Sequence, residues 1–211
     1  MSMEKFDLDK LKRASSVLKG GGVVIIATET FYCMAANPFS EDAVKKIFLL
    51  KGRSFNKPLP LIASSVRVAS GMIAEESDDA FELGQQFWPG SLTVLVNLKV
   101  TFPPALRGAR NRVGIRIPPQ CPASALAEIS GGWITATSAN LSGGLNASSI
   151  EQIPESLLKL ADCVIDSGQT AGGLPSTVMA LELGEPVIYR AGAVSLESLK
   201  QRLPLRSDKS T

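Results

Sequence analysis

The stretch "GVVIIA" at residues 22–27 decides the fold class, because it is apolar throughout and rich in β-branched residues. Such a run, without alternating polar positions, is typical of a strand buried on both faces of a sheet. A helix is predicted just before it at residues 7–19, with Asp7 as the N-cap and the glycines at 20–22 as the end. A helix followed by a doubly buried strand is typical of α/β proteins.

The same mixture of helices and strands continues to residue 203. Helical spacing and capping residues, including Ser40, predict further helices at 40–51, 77–88, 122–130, 154–161 and 195–203. Short apolar runs predict strands at 58–63, 91–98, 112–118, 133–140, 163–168, 176–183 and 186–190. The elements interleave without a strict βαβ rhythm, so the sequence predicts a single α/β domain at residues 1–203 with a twisted, open, mixed sheet. The polar residues 204–211 are predicted to form a flexible C-terminal tail.

Composition limits the class of protein. The 211 residues include 22 basic and 20 acidic ones, a net charge of +2, so an anion site has to come from local clusters of charge. The three cysteines, at 33, 121 and 163, are odd in number and form no CxxC pair, as expected in a reducing compartment. The N-terminus has no apolar signal core, and no apolar run reaches transmembrane length. These features predict a soluble, cytoplasmic protein without membrane association.

The chain contains no histidine. A histidine general base, a Ser-His-Asp triad and a histidine-containing zinc site are therefore excluded. The scattered cysteines argue against a structural zinc site as well. Chemistry in this chain has to use charged side chains, hydrogen bonds, backbone dipoles or a metal ion that a phosphate ligand brings with it.

Three positive charges, Lys51, Arg53 and Lys57, cluster in "KGRSFNK" at residues 51–57. The dipole of the preceding helix favours cations at its C-terminal end by about 0.3–1 kcal/mol, which explains one or two of these charges but not all three. Gly52 allows a turn that aims Lys51 and Arg53 at one point, as a polyphosphate site needs. The stretch is therefore either a set of solvated helix-end charges or a phosphate site.

Arg116 lies inside the apolar stretch "VGIRIP" at residues 113–118. An arginine is seldom fully buried without a partner, so Arg116 either faces solvent or holds a carboxylate in a bidentate pair. The stretch "RGARNR" at 107–112 adds three arginines just before this strand. They form either a solvated loop or further phosphate contacts.

The strongest indication of a ligand site is "TATSANLSGGLNASS" at residues 135–149. Hydroxyls, amides and glycines follow directly on a predicted strand, and such a loop offers short donors and backbone N–H groups to a phosphate or nucleotide. It matches neither the Rossmann fingerprint nor the P-loop. The stretch "ATETFYCMAANPF" at 27–39 also places polar side chains at a strand end, although an ordinary loop is the simpler interpretation.

Seven motifs, taken in order, resemble the YrdC/Sua5/TsaC family: "TETFY", "KGR…KPL", "FWPGSLTVLV", "VGIRIP", "SANLSGG", "STV" and "YRAG". The resemblance covers about residues 8–203 and implies an α/β twisted open sheet with a concave positive surface. It also implies an L-threonylcarbamoyladenylate synthase, a nucleotidyltransferase that makes threonylcarbamoyl-AMP and pyrophosphate from L-threonine, bicarbonate and ATP. The long family form has a further C-terminal domain, which is not expected here because the chain stops eight residues after Leu203.

The resemblance implies partners and site residues as well. ATP would be a substrate that brings Mg²⁺, no organic cofactor would be needed, and a tRNA-modifying transferase complex would pass the product to adenosine 37, with possible contact to tRNA. Residues implied to bind ATP are Lys51, Arg53, Lys57, Arg112, Ser138, Asn140, Asn146 and Arg190. Lys51 and Arg53 are also the implied catalytic residues, and no metal ligand is implied. Residues implied to bind threonine are Thr30, Arg116, Ala136 through its backbone, and Ser176.

Departures from the family pattern keep alternatives open. Ile62 and Gln120 stand where many members have histidines, and further departures are at Ala27, Phe31, Cys33, Met34 and Ser54. One alternative is therefore a paralogue with a different amino-acid substrate, or with none. Another is an RNA-binding module of translation or ribosome maturation, although few aromatic residues lie near the clustered charges. A carbamoyl-transfer domain like that of hydrogenase-maturation proteins fits least, because the accompanying acylphosphatase-like and zinc-finger regions are missing.

Overall fold

The computed structural model describes residues 6–203, so the predicted tail at 204–211 and the first five residues of the predicted domain lie outside the described residues. The described part contains seven α-helices: α1 (Leu8–Lys19), α2 (Glu41–Lys51), α3 (Val66–Ser70), α4 (Asp78–Gln85), α5 (Pro122–Ile129), α6 (Glu155–Leu160) and α7 (Leu196–Lys200). It also contains ten strands: β1 (Val24–Ala27), β2 (Tyr32–Ala35), β3 (Leu61–Ala63), β4 (Leu92–Val96), β5 (Val113–Arg116), β6 (Trp133–Thr135), β7 (Thr137–Ser138), β8 (Cys163–Val164), β9 (Thr177–Glu182) and β10 (Glu185–Arg190).

The first two helices begin at the N-caps that the sequence predicts. The Asp7 carboxylate accepts a hydrogen bond from the backbone N–H of Lys10 at 3.0 Å. Ser40 Oγ accepts one from the backbone N–H of Ala43 at 3.3 Å. Helix α2 ends at Gly52, whose left-handed conformation, with φ of 59°, suits a residue without a Cβ. The chain therefore turns sharply where the basic segment begins.

The strands form two sheets rather than one. The larger sheet has the strand order β10-β9-β4-β5-β3-β6, and the smaller one has the order β7-β2-β1-β8. Both sheets are mixed, because β4 pairs in parallel with β9, β3 with β5 and β1 with β8, whereas the other neighbours are antiparallel. The predicted α/β class with open, mixed sheet structure is confirmed, and the prediction of a single sheet is wrong.

The two sheets meet within residues 133–140, a stretch that the sequence predicts to begin as a strand. The chain leaves β6 at Thr135 and enters β7 two residues later, beside a different neighbour. Between them, the N–H of Ala136 donates to the carbonyl oxygen of Pro60 at 2.9 Å. Thr135 also joins the sheets, because its N–H donates to Ala36 O at 3.0 Å and its Oγ1 accepts from Ala36 N at 2.8 Å. The predicted strand is therefore a crossing from one sheet to the other.

Strand β2 is missing from the sequence-based prediction, which places a loop at residues 27–39. All four residues of β2 are buried and pair antiparallel with β1. The connecting turn is held by Thr28 Oγ1, which accepts hydrogen bonds from the backbone N–H groups of Thr30 and Phe31 at 3.2 and 3.1 Å. Because the turn is polar and short, the local sequence looks like a loop although it forms a β-hairpin.

Strand β1 is buried on both faces, as its sequence predicts. Val24 and Ile26 belong to one apolar cluster, which includes residues of α1 and α5, whereas Ile25 and Ala27 belong to another. Alternate side chains of a strand point to opposite faces, so this division places one cluster on each side of the smaller sheet. Within residues 6–203, no helix combines the length and apolar character that crossing a membrane requires.

Candidate active site

Eight of the predicted site residues line one cavity of about 130 Å³, to which both sheets contribute. Its walls come from the turn between β1 and β2, from β3 and β5, and from the crossing between β6 and β7. The eight residues are Thr30, Arg53, Arg116, Ala136, Ser138, Asn146, Ser176 and Arg190. Side chains that are far apart in sequence therefore converge where the two sheets meet.

Neighbouring strands of the larger sheet bring polar side chains to this cavity. Thr93 on β4 lies opposite Arg116 on β5 in the antiparallel register. Ser176 directly precedes β9, and its Oγ lies 2.9 Å from Thr93 Oγ1, within hydrogen-bonding distance. Both residues are buried, and each hydroxyl meets part of the hydrogen-bonding requirement of the other.

Lys51 is buried, which excludes the first of the two sequence-based interpretations, a solvated charge at the helix end, and Lys51 is absent from the cavity lining. Only 2% of its surface is exposed. Its Nζ donates hydrogen bonds to the carbonyl oxygen of Ser138, to that of Asn140 at 2.6 Å and to Asn140 Oδ1 at 2.9 Å. Burial lowers the pKa of Lys51 to about 8, and the positive charge of Arg53 acts in the same direction. The ammonium group therefore contacts the polar loop after β7 from its buried side and holds it in place.

The polar loop is ordered by its own side chains. Ser138 Oγ donates to Asn140 Oδ1 at 2.6 Å, and Asn140 Nδ2 donates to the carbonyl oxygen of Gly144 at 2.5 Å. Asn140 is buried and does not belong to the cavity lining, whereas Ser138 and Asn146 do. The loop thus presents two of its three predicted nucleotide-binding side chains to the cavity and uses the third to fix its shape.

Arg53 reaches the cavity from the segment after α2. Its Nε donates to the carbonyl oxygen of Lys57 at 2.7 Å, and its Nη2 donates to that of Pro58 at 3.2 Å. The structure does not bring the Lys57 ammonium group to the cavity, because Lys57 is exposed and absent from the lining. Arg53 and Arg190 both line the cavity. Burial lowers the pKa of Arg53, and the positive charge of Arg190 acts in the same direction.

Arg190 lies at the end of β10 and turns its guanidinium inward, although the residue as a whole is exposed. Its Nε and Nη2 donate to the carbonyl oxygen of Ser176 at 3.2 and 2.7 Å, and Nη2 also donates to Ser176 Oγ at 2.9 Å. Three arginines therefore line the cavity, while no carboxylate within residues 6–203 does. Such a surface attracts anions.

Arg116 pairs with a carboxylate, as one of the two sequence-based interpretations predicts, but through one oxygen rather than in the predicted bidentate pair, and this carboxylate belongs to the chain itself. Its Nη2 forms an ion pair with Oε1 of Glu29, and its Nε donates to the carbonyl oxygen of Gly90 at 3.1 Å. Burial lowers the pKa of Arg116 to about 10, and the charge of Arg190 contributes to the shift. Arg116 remains a cation at neutral pH and faces the cavity with its position already fixed.

The structure does not bring Arg112 to this cavity. Arg112 lies just before β5 and Arg116 ends it, so the two are about 13 Å apart along the strand. Arg112 Nη2 donates to Glu182 Oε1 at 2.8 Å and to the hydroxyl of Tyr189 at 3.1 Å, while Arg110 Nη1 donates to Glu182 Oε2 at 2.6 Å. These contacts engage Arg110 and Arg112 within the protein and reduce the positive patch that RNA binding would need.

A larger cavity of about 480 Å³ lies beside the first, and Thr28 lines both. It contains none of the twelve predicted site residues. Its charged lining residues are mostly acidic and comprise Asp7, Glu29, Asp166 and Lys10. Within residues 6–203, no group of three or more Cys, Asp or Glu side chains is arranged to hold a metal ion. The smaller cavity is therefore the candidate active site.

Comparison with known proteins places this fold and cavity in a family. A family model described as "Telomere recombination", which covers Sua5, YciO and YrdC, matches residues 16–192. The chain belongs to the Sua5/YciO/YrdC family. The resemblance inferred from the seven sequence motifs is thereby confirmed.

Curated relatives of the family are identical to this chain at about a third of the aligned positions. The threonylcarbamoyl-AMP synthase of Pyrococcus abyssi is 33% identical over 198 residues, which are 94% of this chain and 58% of that protein. The synthase of Bacillus subtilis is 32% identical over 95% of this chain and 58% of its own length. A putative threonylcarbamoyl-AMP synthase of Methanocaldococcus jannaschii is 33% identical over 85% of this chain and 84% of its own length. The chain thus spans about three fifths of two of these relatives.

Solved structures of the Sua5/YciO/YrdC family have the same fold. P. abyssi Sua5 in complex with L-threonine matches with a TM-score of 0.86 at 33% identity, over 94% of this chain and 58% of that one. E. coli YciO matches with a TM-score of 0.79 over 92% of this chain and 94% of that one. At 24% identity, the likeness to YciO concerns the fold alone.

Sequence reasoning assigns no role to Glu29 or Thr93, although both contact predicted site residues of this family member. Glu29 has a recognisable signal, since it is an acidic side chain beside a predicted ligand-binding threonine. Thr93 has a weaker one, a polar residue within an apolar strand. Ile62, at the position of a family histidine, gives the cavity an apolar wall, whereas Gln120 lines the larger cavity.

Proposed function

We propose that this chain is a threonylcarbamoyl-AMP synthase, which condenses L-threonine, bicarbonate and ATP into threonylcarbamoyl-AMP and pyrophosphate. The observation that carries the proposal is the convergence of Arg53, Arg116 and Arg190 on one small cavity. A site of this kind favours the carboxylate of an amino acid and the phosphates of a nucleotide together. The names of the relatives in two archaea and one bacterium support the proposal.

The amino-acid end of the site is proposed around Arg116. Its guanidinium pairs with the substrate carboxylate, while the hydroxyls of Thr30 and Ser176 and the backbone of Ala136 contact the rest of the amino acid. The complex of P. abyssi Sua5 with L-threonine supports threonine as that ligand.

The nucleotide end is proposed around Arg53 and Arg190, which contact the phosphates. Ser138 and Asn146 contact the nucleotide from the polar loop. Lys51 and Asn140 act indirectly: both are buried outside the cavity lining, and they hold the backbone of that loop. Lys57 acts through its carbonyl group, which fixes the guanidinium of Arg53.

The reaction needs positioning and charge neutralisation rather than a covalent nucleophile. Bicarbonate and the threonine amine form a carbamate with loss of water, and a carbamate oxygen then attacks the α-phosphorus of ATP. The bond to the β-phosphate breaks, and pyrophosphate leaves. Positively charged groups fixed before substrate binding stabilise the charge that develops on the phosphate oxygens. Mg²⁺ enters as part of the ATP complex and is a component of the substrate.

The proposal is tested by pyrophosphate release from ATP, measured with and without L-threonine and bicarbonate. We expect release that requires both compounds, and a serine and valine series shows whether Ile62 alters the choice of amino acid. Release with an amino acid other than threonine would identify a paralogue of different specificity. Absence of release, combined with RNA binding that weakens with salt, would contradict the synthase proposal in favour of an RNA-binding module.

The product defines the partner. Threonylcarbamoyl-AMP is an activated acyl donor, and we propose that a tRNA-modifying transferase complex in the cytoplasm transfers its threonylcarbamoyl group to adenosine 37. Formation of the donor uses only small molecules, so direct contact with tRNA is not part of the proposal. Addition of such a transferase and tRNA to the pyrophosphate assay should convert the donor into modified tRNA.

A further inference from the structure

We propose that Glu29 is a positioning residue that holds the guanidinium of Arg116 in place for the carboxylate of the amino-acid substrate. The inference deepens the proposed function and rests on it for the identity of the substrate. Arg116 contacts the substrate in this scheme, whereas Glu29 acts through Arg116.

The first argument is the set of contacts around Arg116. Glu29 Oε1 pairs with Arg116 Nη2 and also accepts a hydrogen bond from Ser91 Oγ at 3.3 Å. Arg116 Nε donates to the carbonyl oxygen of Gly90 at 3.1 Å. Both contacts lie along the Nε–Nη2 edge of the guanidinium, which is held there by Glu29 and by the segment just before β4. A planar group held along one edge has less rotational freedom, which favours recognition of a planar carboxylate.

The second argument is the side from which Glu29 approaches. Arg116 lines the small cavity, whereas Glu29 lines the larger one beside it. The guanidinium consequently stands between its internal partner and the candidate active site. Glu29 and a substrate carboxylate then meet the guanidinium from different sides, so both can be bound at once.

The third argument is the incomplete hydrogen bonding of Glu29. The exposed fraction of its side chain is 20%, and its Oε2 is buried without a hydrogen-bond partner among residues 6–203. A buried carboxylate oxygen without a donor lowers the stability that an ion pair contributes. Arg116 Nη2 also makes no hydrogen bond among residues 6–203 besides this ion pair. The pair is therefore incompletely hydrogen bonded on both sides, and its position beside the site favours a role in binding.

The turn that carries Glu29 does not depend on its charge. Thr30, the next residue, is anchored through its carbonyl oxygen, which accepts hydrogen bonds from Thr170 Oγ1 at 2.5 Å and from Gly172 N at 2.9 Å. Thr28 fixes the start of the turn through its hydroxyl. Glu29→Gln keeps the size of the side chain and removes only its charge, so it changes Arg116 while the turn is retained.

The decisive experiment compares steady-state kinetics of the wild type and Glu29→Gln. We expect KM for L-threonine to rise about tenfold, by analogy with residues that orient metal ligands, whose loss typically costs about 10–100-fold in affinity or activity. The kcat at saturating threonine and KM for ATP should change by less than about twofold. Glu182→Gln is the matched control, because it makes the same chemical change in the ion pair of Arg112, and it should leave KM for threonine unchanged.

A substrate without the carboxylate isolates the contact. L-threoninamide lacks the negative charge that Arg116 binds, so Glu29→Gln should weaken its binding far less than that of L-threonine. An equal loss for both ligands would show a merely structural role and overturn the inference. An unchanged or lower KM for threonine would also overturn it, since Glu29 would then be irrelevant or a competitor of the substrate.

Calorimetric titration with L-threonine separates this inference from the proposed function. If the wild type binds threonine but releases no pyrophosphate, the synthase proposal fails, and the inference still requires about tenfold weaker binding by Glu29→Gln. Equal affinities would overturn the inference alone. A wild type that binds no threonine would overturn both.

Discussion

The two ends of β5 each carry an arginine paired with a glutamate, yet the pairs differ in how completely they are hydrogen bonded. Arg112 and Arg116 are almost equally buried, with 8% and 9% of their surfaces exposed. Both oxygens of Glu182 have donors at the Arg112 end. At the Arg116 end, Glu29 Oε2 has no donor among residues 6–203. Each arginine keeps one buried nitrogen without a hydrogen-bond partner among these residues, Arg112 Nε and Arg116 Nη2, so the difference lies in the glutamates. A glutamate with donors on both oxygens is typical of a structural pair, whereas Glu29 leaves one oxygen unpaired beside a cavity, as expected near a binding site.

The largest expected effect is on catalysis at the Arg116 end. Arg116→Lys keeps the positive charge but loses the planar fork, so one charge-assisted hydrogen bond to the substrate is lost, about 2–3 kcal/mol. We expect kcat/KM for threonine to fall roughly 30- to 150-fold in steady-state assays. An equal fall in kcat/KM for Arg112→Lys would contradict the difference between the two ends of β5. Arg112 would then be assigned to the nucleotide-binding residues again.

A second test uses Lys51, a buried cation whose three hydrogen bonds lie beside the active site. Lys51→Met removes the donor from two backbone carbonyl oxygens and from Asn140 Oδ1, which keeps only Ser138 Oγ as a donor. We therefore expect a loss of about 3 kcal/mol in the free energy of unfolding. For a chain of this length, the melting temperature should fall by about 6–12 °C in calorimetry. Lys57→Met is the control, because an exposed lysine should change stability by less than about 0.5 kcal/mol. Similar melting temperatures for both variants would refute the structural role of Lys51.

The smallest expected effect concerns the ion pair of Arg112 and Glu182. Hydrogen bonds from Arg112 and Tyr189 lower the pKa of Glu182 to about 2 from an ordinary value of 4.5. A carboxyl group with a lowered pKa in the folded state stabilises the fold fully above about pH 4.5, and this stabilisation is lost as the pH falls towards 2. The difference in urea midpoint between the wild type and Glu182→Gln should therefore shrink between pH 6 and pH 2.5. A difference that stays constant would show that the Glu182 charge does not contribute.

The sequence predicts local elements better than the partners of the two arginines at the ends of β5, and the reason is physical. Local patterns such as the apolar run of β1 and the caps Asp7 and Ser40 depend on neighbouring residues, so they are predicted well. The partner of an arginine is set by register between distant strands. "RGARNR" and "VGIRIP" therefore look alike as sources of positive charge. In the structure, Arg112 pairs with Glu182 away from the cavity, whereas Arg116 lines the cavity and pairs with Glu29.

The same limit applies to burial and to sheet number. Lys51 looks like a solvated helix end, because nothing local shows that the loop after β7 folds over its ammonium group. The change of sheet at Ala136 depends on hydrogen bonds from Ala136 to Pro60 and between Thr135 and Ala36, partners that are 76 and 99 residues apart in sequence. Eight of the twelve predicted site residues nevertheless line one cavity, because the motifs combine local pattern with family order.

The crossing at Ala136 has a mechanical consequence. Since Ser138 belongs to the smaller sheet and Arg116 to the larger one, a ligand that contacts both is a non-covalent cross-link between the sheets. Its binding free energy adds to the work needed to separate them, as for any ligand that binds only the folded state. Substrate occupancy then protects the backbone amides along this seam from hydrogen exchange, in both sheets together.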